Sequence, residues 1–344
     1  MNVHSPDLAK TPWRFPAFDR VWLAIAVILL LIALADWQQA EQSLVFTLTS
    51  LVSVAPFLLA SVAFTAGAQA SGADALIARA FSGRVLTMIV LAALIGGLSP
   101  FCSCGVIPLI AALLGIGVPL APVMAFWLAS PVIDPAMFVM TAGFLGFGFA
   151  LAKTIIAVGL GLFGGFAIVG LTRAGLFADP LRPGIGKGGC GAKSVLDPKP
   201  VAWRFWTEAS RRGTFAASGG KALGFLGKWL TLAFLLESLM LAYVPAESIA
   251  ALVGGDGIVP VIIATLVGVP AYLNGYAALP LVDGLIEQGM APGAGMAFLV
   301  AGGVTSLPAA IAVFALARLP LFASYVALAL IGSLIAGLIY GMVV

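Results

Sequence analysis

The sequence predicts an all-α protein that crosses a membrane several times, and its composition, apolar runs and prolines are the features that predict this fold class. Hydrophobic residues make up 62% of the 344 residues, and charged residues only 9%. The mean hydropathy is +1.13. Soluble domains contain about 25% charged residues, and a membrane-spanning helix needs about 20 predominantly apolar residues in succession. The composition therefore excludes a soluble core.

The N-terminal region is expected to stay in the cytoplasm. Residues 1–20 are polar and carry Lys10, Arg14 and Arg20, and they lack the apolar core and cleavage site of a removed signal peptide. Residues 21–36 form the first predicted span, and no positive charge directly follows it. Because positive residues accumulate on the cytoplasmic side, this span is expected to exit to the outside.

Two further apolar segments lead to a Cys-Ser-Cys element. Residues 43–68 are predicted to return inward, residues 74–81 to form a short amphipathic piece, and residues 85–98 to enter the membrane again. The element itself follows directly, within the run Ser99-Pro-Phe-Cys-Ser-Cys-Gly-Val-Ile-Pro108.

The two thiols of this element are predicted to lie on one side of a broken helix. Residues two apart diverge by about 200° in an α-helix, but they point the same way in extended or unwound backbone. Pro100, Gly105 and Pro108 favour unwound backbone, because proline lacks a donor and glycine permits turns. Cys102 and Cys104 are therefore candidate ligands.

Other roles for the thiols remain open. Free cysteine is often a small buried hydrophobe, and a disulfide between residues two apart would be strained, so a free dithiol is preferred. A helix restarting over residues 106–116 would favour thiolate over thiol through its dipole. Thiolates select soft, thiophilic ions.

The motif resembles that of the ArsP-type permeases, bacterial membrane proteins that include exporters of trivalent organoarsenicals. The resemblance covers roughly residues 40–340, with the Ser-Pro-Phe-Cys-Ser-Cys run as its specific part. It implies that a transported metalloid, rather than a structural metal, binds at Cys102, Ser103, Cys104 and Gly105. The remaining matching residues are Gly117, Pro119, Trp127, Ala129, Ser130, Pro131, Asp134 and Pro135.

Prolines divide the chain after the motif into short pieces. Over residues 106–149 the apolar segments are about 11 to 15 residues long, shorter than the roughly 20 residues of a continuous span. Interrupted helices at membrane depth line cavities, and they mark the binding sites of secondary transporters. A span over residues 154–171 is predicted to close this half.

Residues 173–220 form a basic loop that is expected in the cytoplasm, because they contain eight Lys or Arg residues. Trp203, Phe205 and Trp206 lie beside arginines in this loop. They indicate either a helix at the membrane interface or a solvated basic loop.

Two energy-coupling devices are absent from the sequence pattern. The glycine-rich residues 186–194 lack the Gly-Lys-Ser/Thr ending of a phosphate loop, so a built-in ATPase is rejected. His4 is the single histidine and lies in the polar N-terminus, which excludes a membrane histidine relay. Cys190 is expected to be a mobile thiol outside the membrane site.

The second half of the chain repeats the first. Residues 264–270 resemble residues 92–100, and Met296-Ala-Phe298 reproduces Met124-Ala-Phe126 at an offset of 172. Opposite charge bias at the start of each copy predicts inverted repeats. The predicted regions are the N-terminus with its first helix (1–42), the first repeat (43–172), the basic loop (173–220) and the second repeat (221–344).

In the second copy, Tyr272, Asn274 and Tyr276 take the place of the cysteine element. With the substrate near the junction of the repeats, the predicted site has two thiols from one copy and aromatic and amide groups from the other.

Acids in apolar surroundings are candidates for proton coupling, because buried charge is costly. Asp134 is one candidate, with a helix cap before Pro135 as its alternative role. Asp283 and Glu287 are one helical turn apart and able to share a proton. A partly solvated helix end is the alternative for this pair.

These features predict a multi-pass permease of the bacterial inner membrane, with the lipid bilayer and a small thiophilic solute as its partners and without nucleic acid or cofactor. The leading substrate is a trivalent organoarsenical. The alternatives are a transporter of another soft-metal or sulfur-containing solute and a membrane thiol oxidoreductase that uses Cys102 and Cys104.

Overall fold

The computed structural model describes residues 19–72, 84–99, 103–115, 117–177, 180–182, 202–243, 255, 257–271 and 275–344, and within these ranges it is helical and without β-strands. The first seven helices are α1 (Arg20–Ala35), α2 (Trp37–Ser71), α3 (Val85–Leu98), α4 (Ser103–Gly115), α5 (Leu120–Ala129), α6 (Pro135–Phe144) and α7 (Phe147–Arg173). A 3-10 helix (Phe205–Thr207) precedes α8 (Ala209–Tyr243), α9 (Ile258–Ala271), α10 (Gly275–Glu287), α11 (Pro292–Thr305), α12 (Leu307–Leu316) and α13 (Leu319–Val343).

The observed helices confirm the predicted all-α membrane fold. Four segments in the described ranges are long and apolar enough to span a membrane, namely α7, α8 as far as Leu239, α11 with α12, and α13. Helix α2 makes a fifth if its two parts count as one span. They meet at 46° around Pro56, where proline removes a backbone hydrogen bond.

Several predicted boundaries agree with the structure and others shift. The apolar run over residues 85–98 is α3 to the residue, and the first predicted span is α1. Helix α4 begins three residues before the predicted start, and α7 begins at Phe147 rather than at 154. The amphipathic piece over residues 74–81 lies outside the described residues.

The aromatic segment of the basic loop contacts the membrane helices. The Phe205 ring stacks on Phe215 of α8 with centroids 5.4 Å apart, and the 3-10 helix packs against α2 and α8. Trp203 and Trp206 are exposed. Their position at a membrane interface stays a prediction.

The core of the protein is built around α5 and α11. Every residue of α5 is buried, and so is α11 from Gly293 onward. Helices α3 and α7 pack against α5, and α9 and α13 pack against α11. Glycines permit these contacts, as small residues do between membrane helices. A Cβ on Gly96 would lie 2.9 Å from the Phe126 carbonyl oxygen, and one on Gly268 would lie 2.8 Å from that of Phe298.

The two halves have matching helices. Each helix from α2 to α7 has a counterpart six helices later, from α8 to α13. The two helices of a pair begin 172 residues apart, except for α3 and α9, which begin 173 residues apart. The contacts between halves also match, because α4 packs against α12 and the corresponding α10 packs against α6. One difference concerns the longest helices, since α2 packs against α4 whereas α8 packs against α12. This correspondence supports the repeat hypothesis, and the inverted orientation stays a prediction.

Helix α1 lies outside the proposed repeats and is tied to both α2 and α8. Asp19 caps α1 by accepting from the Val21 N–H, and its other carboxylate oxygen accepts from Lys228 on α8. The Lys228 hydrogen bond holds the pKa of the Asp19 carboxyl below its usual value. The contribution of the Asp19–Lys228 interaction to the free energy of unfolding is therefore complete above a pH of about 4. It is lost as the pH falls through the lowered pKa of Asp19.

Replacement of Gly268 by alanine is expected to destabilise the protein. The added Cβ meets the backbone of Phe298, so α9 and α11 must separate, at a cost of about 1–3 kcal/mol in the free energy of unfolding. The measurement is thermal unfolding of the purified protein in detergent. Gly224→Ala on α8 is the matched control, because its Cβ meets no heavy atom within 4 Å. An equal melting temperature for both variants would contradict the close approach.

Candidate functional site

The first helix break lies at the Cys-Ser-Cys element, as the sequence predicts. Helix α3 ends at Leu98 and α4 begins at Ser103. The Ser99 hydroxyl donates to the Gly96 carbonyl at 2.8 Å and lies 2.9 Å from the hydroxyl of Ser130, which follows α5. Both serines are buried. This contact fixes the end of α3 against the end of α5.

Cys104 lies in the first turn of α4 together with Ser103 and Gly105. Cys102, like Cys190 in the basic loop, lies outside the described residues. The first turn of a helix has backbone N–H groups without intrahelical partners, and this end of the dipole stabilises a thiolate. The backbone is therefore that of a broken helix, and the binding role of the thiols stays a prediction.

Helices α9 and α10 occupy the matching place in the other half. Helix α9 ends at Ala271 and α10 begins at Gly275, with Tyr276 in its first turn. Tyr272 and Asn274 lie outside the described residues. The contribution of this segment to the substrate site stays a prediction.

Helices α4 and α10 lie at the junction between the halves. Helix α4 packs against α12 of the second half, and α10 packs against α6 of the first. Each also packs within its own half, α4 against α5 and α10 against α11. Each of the two helices thus contacts the opposite half, but through a different partner, and α4 and α10 are not among the closely packed helix pairs of the described chain. A substrate site shared by the two helices stays a prediction.

Asp134 and Lys153 form a charged region beside this junction. The Asp134 carboxylate accepts from the Met137 N–H at 2.8 Å and caps α6. Lys153 on α7 is fully buried, and its ammonium has no hydrogen-bond partner among the described residues. No ion pair joins the two side chains among the described residues, so Asp134 can act on this ammonium only over a longer distance. The cap is thus observed, and a part for Asp134 in proton coupling stays a prediction.

The second half has a neutral side chain at the position that corresponds to Lys153. Tyr325 follows Lys153 by 172 positions, and its hydroxyl donates to the Val304 carbonyl. Its ring lies 5.1 Å from the ring of Trp127 on α5. Tyr325 therefore connects the two halves through an apolar contact. Of these two matching positions, only the one in the first half carries a charge, the ammonium of Lys153.

Asp283 and Glu287 both lie on α10 but differ in exposure. Asp283 is half-buried, and Glu287 is exposed at the last residue of the helix. This placement agrees with a partly solvated helix end. Their proposed sharing of a proton stays a prediction.

Sequence reasoning missed two buried ionisable residues. Lys153 has no exposed surface and Glu237 on α8 is only 3% exposed, and one polar atom of each lacks a hydrogen-bond partner within the described ranges. The sequence contained a usable signal, because each is a single charge in an apolar run. Such residues in membrane segments are functional candidates. The described residues contain no cluster of three His, Cys, Asp or Glu side chains suited to a metal ion.

Comparison with known proteins places the chain among transporters. A family model of the ArsP type, described as a predicted permease, matches residues 39–342. The UPF0718 protein YcgR of Bacillus subtilis is 35% identical over 98 residues, 28% of this chain and 33% of that protein. The UPF0718 protein MJ0584 of Methanocaldococcus jannaschii is 32% identical over 102 residues, 30% of this chain and 28% of that protein. The matches therefore span about a third of these relatives. No solved structure matches the chain.

Asp134→Asn is expected to lower the free energy of unfolding by less than the roughly 3 kcal/mol lost when a buried ion pair is broken, because it removes a negative charge that acts on the buried Lys153 ammonium without pairing with it. Asparagine still caps a helix, so α6 keeps its cap. Adding Lys153→Met to the same chain removes the charge and is expected to restore stability. Chemical or thermal unfolding of both single variants and the double variant measures this coupling. Additive effects of the two substitutions would contradict the electrostatic interaction.

Proposed function

The chain belongs to the family of predicted permeases that its sequence matches, and from that premise we propose that it exports a trivalent organoarsenical such as methylarsenite. Family membership and the apolar helices make the chain a multi-pass membrane transporter. The proposed location is the bacterial inner membrane, with the N-terminus in the cytoplasm. The solute and the direction of transport belong to the proposal.

The observation that carries the proposal is the helix break at the Cys-Ser-Cys element. The break separates α3 from α4, and α4 lies against the other half of the protein. Soft thiolates are selective for thiophilic solutes. A pair of thiols at a helix break beside the junction of two halves is therefore suited to bind such a solute on its route through the membrane.

The number of thiols favours the organic form of arsenic. A methylated trivalent arsenic has two exchangeable positions, which Cys102 and Cys104 saturate, whereas inorganic arsenite has three. Ser103 and Gly105 complete this side of the proposed site, and Tyr272, Asn274 and Tyr276 line the opposite side. Each thiol replaces one hydroxyl group of the arsenic, and the thiol proton leaves with that hydroxyl as water, so binding of methylarsenite to both thiols releases two water molecules.

The proposed mechanism is alternating access between inverted repeats, residues 43–172 and 221–344. The matched helix starts and the paired contacts α4 with α12 and α10 with α6 support it. Proton entry through a carboxylate would supply the energy. Asp134, Asp283 and Glu287 are the candidates predicted from the sequence.

Replacement of either cysteine of the motif by serine is expected to abolish resistance to methylarsenite at normal protein abundance. Serine keeps the size of the side chain but removes the soft ligand. Growth protection and uptake by everted vesicles are the measurements, with methylarsenite, arsenite, antimonite and sulfur oxyanions as the panel of solutes. Cys190→Ser is the matched control and is expected to leave resistance intact.

The same panel separates the proposal from its alternatives. Cysteine-dependent uptake of a sulfur oxyanion alone would favour the transporter of sulfur-containing solutes. Dithiol turnover without movement of any solute would favour the thiol oxidoreductase. Unaltered transport by the Cys102→Ser, Cys104→Ser double variant would show that both thiols serve only as packing residues of the core.

The inverted arrangement predicts that residue 1 lies inside the cell and residue 344 outside. The reason is that an inverted pair of repeats preceded by one extra span reverses the side on which the chain ends. Labelling of single cysteines placed at each end, with an impermeant reagent on intact cells, measures this. A cytoplasmic residue 344 would refute the inversion.

A further inference from the structure

Glu237 is a buried acid with no role in the function described so far. It lies on α8 with 3% of its surface exposed. Its Oε2 atom has no hydrogen-bond partner, and no ion pair includes Glu237 among the described residues. A buried carboxylate without a partner is among the most costly groups to place in a protein.

The packing of α1 and α8 indicates the depth of Glu237. Lys228 on α8 contacts Asp19 at the start of α1, and α1 packs against both α2 and α8. Glu237 follows Lys228 by nine residues, which is about 13 Å at 1.5 Å per residue. Helix α1 is 16 residues long, or about 24 Å. Glu237 therefore lies near the middle of the layer that the first apolar helix crosses.

Buried hydroxyl groups occur at the same depth on α2. Helices α2 and α8 run antiparallel, because Arg211 donates to the carbonyls of Ala70 and Ser71 near one end of the pair. Counting from that contact brings the part of α2 around Ser43 and Thr47 to the level of Glu237. Both residues are buried and already hydrogen-bonded within α2.

None of the charged groups on the helices around Glu237 is placed to neutralise it. Arg20 on α1 and Glu41 on α2 are exposed, and α12 and the 3-10 helix contain no charged residue. On α8 itself, Arg211 pairs with Glu208 and Lys228 with Asp19. The two other basic residues of α8, Arg212 and Lys221, are exposed and at least about 24 Å away along the helix.

We propose that Glu237 is the proton-carrying acid of this transporter. With no countercharge at membrane depth, the carboxyl group is held protonated in the present conformation. It can release the proton only in a conformation that admits water beside α8. This inference rests on the proposed transport function and assigns its energy coupling to a residue outside the cysteine site.

The packing provides a route from Glu237 to the cysteine helix. Helix α8 packs against α12 and α2, and both of these pack against α4. A movement of α8 on gain or loss of the proton therefore acts on α4 through two neighbours. The proton site and the helix that carries Cys104 thus belong to one packed unit.

The other candidate acids have a hydrogen-bond donor or are accessible to solvent. The Asp134 carboxylate accepts a hydrogen bond from the Met137 N–H at the start of α6. Glu287 is exposed and Asp283 is half-buried. Among these acids of the described chain, Glu237 alone is buried and has a carboxylate oxygen, Oε2, without a hydrogen-bond partner.

Glu237→Gln is the central test. The amide is neutral and similar in size to the protonated acid, so abundance and melting temperature are expected to stay at the parental level. Uptake of methylarsenite into everted vesicles driven by a pH gradient is expected to be lost, whereas counterflow exchange of methylarsenite is retained. Glu41→Gln on α2, an exposed acid, is the matched control and keeps both activities. Gradient-driven uptake at the parental rate in Glu237→Gln would overturn the proposal.

A second measurement tests whether Glu237 is protonated when no transported solute is present. The infrared spectrum of the reconstituted parent at neutral pH is expected to contain the C=O stretch of a protonated acid, and this band is lost in Glu237→Gln but not in Glu41→Gln. Its absence from the parent would overturn the proposal. A parent that transports no solute of the panel would refute the proposed function instead, and the infrared difference would still decide whether Glu237 holds a proton.

Discussion

The need to satisfy backbone polar groups inside a membrane is the constraint on which the other features of this structure depend. Wherever a helix ends within the apolar layer, its last carbonyls and first N–H groups require partners. At the end of α3 the Ser99 hydroxyl bonds to a carbonyl of its own helix and contacts Ser130. At the start of α6 the Asp134 carboxylate binds an N–H group. Short polar side chains thus permit helices to end beside the junction of the halves.

Local chemistry made much of the fold predictable from the sequence. Pro100 and Gly105 marked the first break, Pro135 after Asp134 marked the start of α6, and apolar length marked α3 to the residue. The start of α4 was less predictable, because Ser103 and Cys104 are compatible with either an unwound segment or a first helical turn. The sequence marks Lys153 and Glu237 as single charges in apolar runs, but it does not show that their side chains face other helices rather than lipid or solvent. Their burial depends on which face of α7 and α8 meets neighbouring helices, and apolar membrane helices have little amphipathic pattern to reveal that face.

Matching positions in the two halves have diverged where chemistry is concentrated and stayed alike where helices touch. Gly96 and Gly268 make the same close approach to a carbonyl oxygen on α5 and α11. Lys153 and Tyr325 occupy matching positions but differ in charge. Packing tolerates no larger side chain at the glycines, whereas the polar position accepts either an ammonium or a phenol. The helix packing of the two halves is therefore nearly alike, whereas the charges at their matching positions differ.

The unequal packing of the two longest helices has a consequence for the energy landscape. Helix α2 packs against α4, whereas its counterpart α8 packs against α12, which corresponds to α6 and not to α4. If the halves exchanged these packing modes, α2 would pack against α6 and α8 against α10. The second arrangement would then consist of contacts between helices of the same kinds. Between two such arrangements, a modest difference in affinity for a bound solute or proton would suffice to shift the population. The unequal packing of matching helices is therefore the feature that an alternating-access movement would exchange.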